Sequence, residues 1–106
     1  MSYTVRFSPE ADEQLASLEQ YITTASGSIA TAEQYIDRIV AFCESLVTFP
    51  ERGQRRDDLV PGLRLTHFRS RAIIAFLVDT ETEIVSIVGV FYGGQDYETA
   101  FTYEAD

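Results

Sequence analysis

The chain has 106 residues, 45% apolar and 24% charged, with 6 Gly, 3 Pro and one cysteine, Cys43; this suits one domain spanning residues 1–106 and excludes collagen-like, low-complexity and disulfide-framework classes. Seventeen acidic residues against eight basic ones give a formal net charge of −9, which repels nucleic acid at long range and argues against non-specific DNA or RNA binding. No apolar run approaches the ~18 residues that span a bilayer, and residues 1–10 lack the basic-then-apolar layout of a signal peptide, so the expectation is a cytoplasmic protein in a reducing compartment, with no membrane contact.

In chain order, residues 3–7 alternate apolar and polar side chains of strand-forming type and read as a short strand. Ser8, Pro9 and Glu10 then form a helix start: serine caps the orphan amides, proline suits the first helical position, and acids favour the positive first turn. Ala11, Leu15, Leu18, Ile22 and Ala25 make one apolar stripe. Gly27 is the expected stop and Ser28 the next cap. The second helix carries apolar residues at Ala32, Tyr35, Ile36, Ile39, Val40, Phe42, Cys43, Leu46 and Val47, more than one stripe, and should be the more buried of the two. Cys43 falls on the core side of that spacing and reads as a buried thiol rather than a nucleophile.

Phe49 and Pro50 end the helix, and residues 51–61 are the one long polar stretch. Three strand-like runs follow: 63–68, 72–78 and 84–91, with a tight turn at Ser70 and a polar hairpin connector at 79–83. The fold class expected is therefore α+β: an N-terminal strand, an antiparallel helical hairpin, then three antiparallel strands. The sheet face away from the helices should be half open.

All eight basic residues are arginine, and six of them, Arg52, Arg55, Arg56, Arg64, Arg69 and Arg71, lie within twenty positions. With Asp57 and Asp58 that segment carries about +4, so the remainder carries about −13. Either the forked guanidinium groups form a binding face for carboxylate or phosphate, or they pair with the protein's own acids.

Several segments in this order and spacing resemble the ParE toxins of the RelE/ParE superfamily of bacterial type II toxin–antitoxin systems. They are Tyr3-Thr-Val-Arg-Phe-Ser-Pro-Glu-Ala11, Cys43-Glu-Ser-Leu46, Phe49-Pro-Glu-Arg-Gly53, Arg56-Asp-Asp-Leu-Val-Pro-Gly-Leu-Arg64 and Val88-Gly-Val-Phe-Tyr-Gly-Gly-Gln-Asp-Tyr-Glu98. The resemblance implies the RelE/ParE-like fold, a ParD-like antitoxin as partner, and growth inhibition by binding DNA gyrase, as in plasmid maintenance, rather than by catalysis. RelE members of the superfamily instead cut mRNA on the ribosome, and a third alternative is an interaction module that has lost activity.

Many relatives read His-Gly-Arg-Arg-Asp where this chain has Tyr92-Gly93-Gly94-Gln95-Asp96. A ribonuclease must activate a 2′-hydroxyl, stabilise a phosphorane and protonate a leaving oxygen. The chain has no lysine and one histidine, so its ribonuclease candidates reduce to Arg69, Arg71, Tyr92 and His67. For target binding the candidates are Arg55, Arg56, Tyr92, Tyr97 and Tyr103. For the antitoxin they are Arg64, Arg69 and Arg71, with Phe68 and Phe76 as apolar neighbours. Gly93-Gly94 reads as a turn or bulge, and Tyr97, Phe101 and Tyr103 as an aromatic tail packed back on the sheet.

Overall fold

The structure is a computed structural model and describes residues 2–102, so Tyr103 lies outside the described residues. Strand β1 (Thr4–Phe7) leads into α1 (Pro9–Ser26) and α2 (Ile29–Glu44), which a short 3-10 turn (Ser45–Val47) closes. The caps are those the sequence predicts. The Ser8 and Ser28 hydroxyls accept from the Ala11 and Thr31 amides at 3.0 and 3.1 Å, and Gly27 ends α1 at φ +72°. Then come β2 (Gln54–Arg55), β3 (Arg64–Phe68), β4 (Ala72–Asp79), β5 (Ile84–Tyr92) and a short α3 (Tyr97–Thr102).

The five strands lie in the order β1-β5-β4-β3-β2. All pairings are antiparallel except that of β1 with β5, which the crossover through the helical hairpin makes parallel. Two elements were not legible in the sequence. Two-residue β2 has no periodicity of its own and exists by pairing with β3 at Gln54–Leu65 and Arg55–Arg64; α3 is a single cooperative turn or two whose stability comes from packing.

Both helices cover one face of the sheet. Each buries three side chains outright, Ala11, Leu15 and Leu18 from α1 and Ala32, Ile39 and Cys43 from α2. Helix α2 adds Tyr35, Ile36, Val40 and Phe42 against the core where α1 adds Ile22. Burial pushes the Cys43 thiol up to about 12, with the Glu44 charge adding to it, so it stays protonated and inert at neutral pH.

A bulge decides which side chains of β5 meet the helices. Ala75 opposes Gly89 but Phe76 opposes Ile87, leaving Val88 as the extra residue. Val85 and Ile87 before the bulge, and Val90 and Tyr92 after it, therefore all face the helical layer, while Phe91 turns to the other side. That second face is less open than expected. Leu63, Leu65, Ala75 and Phe91 are buried there under Leu59 and Val60 of the polar stretch and Tyr97 and Phe101 of α3.

Candidate functional site

The arginine-rich segment divides into two groups with different uses. Arg55 makes a bidentate contact with Asp57 at 2.7 and 3.0 Å, and Asp57 also accepts from the Gly62 amide. Arg56 is bonded to Asp58 and to Glu98 of α3, donates to the Tyr97 hydroxyl at 3.3 Å, and lies over the Tyr97 ring. These hydrogen bonds, first to Asp58 and then to Glu98, raise the Arg56 guanidinium above its ordinary value. Asp57 and Asp58 are correspondingly lowered, chiefly by Arg55 and Arg56. Arg52 donates to Ser45, and Arg64 reaches the Arg52 carbonyl at 3.5 Å. The first four arginines thus bind their own loop together.

Arg69 and Arg71 differ. They flank Ser70 in the tight β3–β4 turn, both exposed, and neither has an ion pair among the described residues. Arg69 sits at φ +56° with its guanidinium 5.3 Å from the Phe68 ring centre. Beside them is an aromatic cluster: Tyr92 meets Tyr35 edge-on at 5.8 Å and Tyr21 at 6.2 Å, and Tyr35 meets Phe68 at 5.7 Å. Burial and Tyr92 raise the Tyr35 hydroxyl, and the two arginines oppose that.

Next to this cluster an open cleft of about 690 Å³ runs between α1 and the end of β5. Glu13, Gln14, Ser17, Leu18 and Tyr21 form the helical wall; Val90, Tyr92, Gly93 and Gln95 form the other, with Arg71 at its end. Gly93 and Gly94, at φ +65° and +86°, make the turn that carries Gln95 back, as the paired glycines predict. The Gln14 and Gln95 side chains accept from the Val90 and Tyr92 amides at 2.6 and 2.8 Å. Neither glutamine was found from sequence: a polar residue on a helix face or in a turn signals nothing until the strand edge beside it is known.

Several sequence candidates are not brought together. Cross-strand pairing puts Phe68, Ala72 and Tyr92 on the helical face, and His67, Ile73 and Phe91 on the other. His67 and Tyr92 therefore lie on opposite faces of the sheet, and the set His67, Arg69, Arg71 and Tyr92 does not converge on one point. Phe76 is fully buried and Phe68 8% exposed, both against the helices, so neither of these antitoxin candidates lies on the face away from the helices. Arg64 opens β3 and Arg69 follows its last residue, so the length of the strand, roughly 13 Å, separates Arg64 from the turn that holds Arg69. Tyr97 packs on Phe91 at 6.0 Å, and Phe101 at 5.8 Å, as an aromatic tail folded back on the sheet. No group of three or more metal-ligating side chains occurs among the described residues, and no helix there is long and apolar enough to cross a membrane.

The family described as ParE toxin of type II toxin-antitoxin system, parDE, matches residues 5–97. The chain belongs to the ParE toxin family. Among solved structures, the ParE-type fold recurs in a chromosomal ParDE toxin–antitoxin system from P. aeruginosa, at 17% identity and a TM-score of 0.72, over 86% of this chain and 96% of that one. The toxin–antitoxin complex RelBE2 from Mycobacterium tuberculosis is similar at 23% identity and 0.61, over 87% and 99%. A free mutant of the E. coli toxin RelE is similar at 17% and 0.61, over 99% and 98%. No curated protein matches in sequence at a significant level. At these identities the ParE and RelE structures share the fold with this chain, and the fold alone does not choose a target.

Proposed function

We propose that this chain is the toxin of a type II toxin–antitoxin pair, that it acts by binding rather than catalysis inside the bacterial cytoplasm, and that DNA gyrase is its target. Family membership over residues 5–97 supports the toxin role. The observation that carries the non-catalytic reading is the placement of the sole histidine, His67, and of Tyr92 on opposite faces of the sheet. An acid and a base must both reach one phosphodiester, within about 3 Å of the protons they move, and these two groups cannot do so. The partner that silences the toxin is a ParD-like antitoxin, and Arg69 and Arg71, which have no ion pair among the described residues, suit acidic side chains on it.

The test is controlled expression of the chain alone in a bacterium, following DNA and protein synthesis with labelled precursors. DNA synthesis is expected to stop first, with cleaved DNA accumulating on purified gyrase. Protein synthesis stopping first would overturn the gyrase target in favour of ribosome-dependent mRNA cleavage, and growth unaffected by folded protein would leave an interaction module.

A further inference from the structure

Three residues other than glycine adopt a left-handed backbone among the described residues: Phe49, Arg69 and Glu83. Arg69 and Glu83 do so in the β3–β4 and β4–β5 connections, where hairpin turns commonly require it. Phe49, at φ +54°, lies between α2 and β2, outside any hairpin, and is 79% exposed. An aromatic residue that is both strained and left in water contributes little to the fold. Val47, two residues earlier, is 37% exposed as well. The loop that displays them is pinned at its base. The Arg52 guanidinium donates to the Ser45 carbonyl and hydroxyl at 3.4 and 3.3 Å, and the Thr48 amide to the Ser45 carbonyl at 3.1 Å. A second local rule is broken five residues before Phe49. Glu44, exposed, is the last residue of α2, where the carbonyl end of a helix favours a cation, and no basic residue stands in that last turn. Two locally unfavourable choices in one exposed, rigidly held loop mark a surface kept for something other than stability.

We propose that the loop of residues 44–52 is the surface by which this chain grips gyrase, with Phe49 as an anchor entering an apolar recess and Glu44 and Glu51 as an acidic rim against basic side chains. This rests on the gyrase reading above. Charge selects the occupant. Glu44 and Glu51 flank the ring in sequence, both exposed, while the one arginine of the loop, Arg52, turns back to Ser45 and over the Phe42 ring. A second copy of this chain, at net charge −9, is repelled from such a rim, as are a nucleic acid and an anionic membrane. A protein that holds duplex DNA must offer basic surface to its phosphates, and that surface attracts the rim. Within it a single aromatic anchor can carry much of the binding energy.

The test is association of the chain with purified gyrase by surface plasmon resonance, alongside trapping of cleaved DNA. Phe49→Asn keeps the left-handed turn, which asparagine tolerates, and removes the ring. Glu44→Arg reverses the rim charge and suits the helix end. Neither variant is expected to lower Tm. Phe49→Asn should weaken binding by about tenfold or more, mainly through faster dissociation, and reduce DNA trapping with it. Glu44→Arg should slow association about threefold or more at low salt, the difference shrinking as salt is added. If the wild type binds and Phe49→Asn binds equally well, the loop is wrong and the gyrase reading stands. If the wild type neither binds gyrase nor traps cleaved DNA, that reading fails and the proposal with it. A fall in Tm with Phe49→Asn would make the ring a structural residue and overturn the proposal, and Glu44→Arg associating at the wild-type rate would remove the basic partner surface. Phe49→Asn that keeps gyrase but loses the protein encoded beside this gene would give the loop to the antitoxin instead.

Discussion

Arg56 links three parts of the molecule that are far apart in sequence. Its amide donates to the Leu63 carbonyl at 2.8 Å, closing the loop onto β3, while its guanidinium holds Asp58 and, from α3, Glu98 and Tyr97. The side chain is only 18% exposed, so its methylene stem is packed and its charge fork is directed at fixed partners. Arg56→Met keeps much of that stem and removes the fork. Amide exchange across α3 should then quicken several-fold, with α1 and α2 unchanged, by hydrogen-exchange mass spectrometry. Acid should do the same to the wild type. Asp57 and Asp58 are held below their ordinary 3.8 by Arg55 and Arg56, so the contribution of these pairs is complete above that pH. It is lost as pH falls through their lowered values. Exchange in α3 that quickens already near pH 5 would mean that other contacts hold the helix.

At the scale of the element, the bulge at Val88 sets the architecture of both faces. Without the extra residue, Phe91 rather than Val90 and Tyr92 would face the helices, and the tyrosine cluster and the cleft would not exist. Gly89, just after the bulge, is required by space rather than by backbone angle. A Cβ there would come within 2.6 Å of the Phe91 ring, which is wedged against Tyr97 and Phe101. Gly89→Ala should therefore cost about 1–3 kcal/mol in urea unfolding and loosen α3. Gly94→Ala meets no atom within 4 Å and carries only the penalty of its φ of +86°, about 1 kcal/mol, with α3 undisturbed. Equal costs with α3 intact in both would show that the Phe91 ring yields freely.

The same elements show what a single sequence can and cannot reveal. Ser8, Gly27 and Ser28 announced the helix ends because capping is a local, stereochemical matter, and the strands of the hairpin announced themselves by apolar runs. The bulge was hidden, since 84–91 reads as one continuous apolar strand, and with it the face of Tyr92. The site was legible only in part. Counting arginines found the basic segment, but which of them are ion-paired depends on loop geometry that brings Asp57, Asp58 and Glu98 to the first group and, among the described residues, no carboxylate to Arg69 and Arg71.

Across the whole molecule, long-range repulsion opposes local pairing. The described residues span 43 × 36 × 23 Å, while the Debye length is about 30 Å at 0.01 M salt and about 8 Å at 0.15 M. At low salt, then, each of the uncompensated acids in a chain of net charge −9 feels most of the others, and the folded state carries that repulsion. Salt also weakens the exposed pairs Arg55–Asp57 and Arg56–Asp58, which works in the opposite direction. The repulsion should win, because contacts at 2.7–2.9 Å lie well inside any Debye length and are screened least. Calorimetric scans at neutral pH should show Tm rising with sodium chloride from 0.01 to 0.15 M. A gain of about 1 kcal/mol corresponds to about 4–8 °C in a domain of this size. A Tm that falls over the same range would place the balance in the ion pairs of the loop instead.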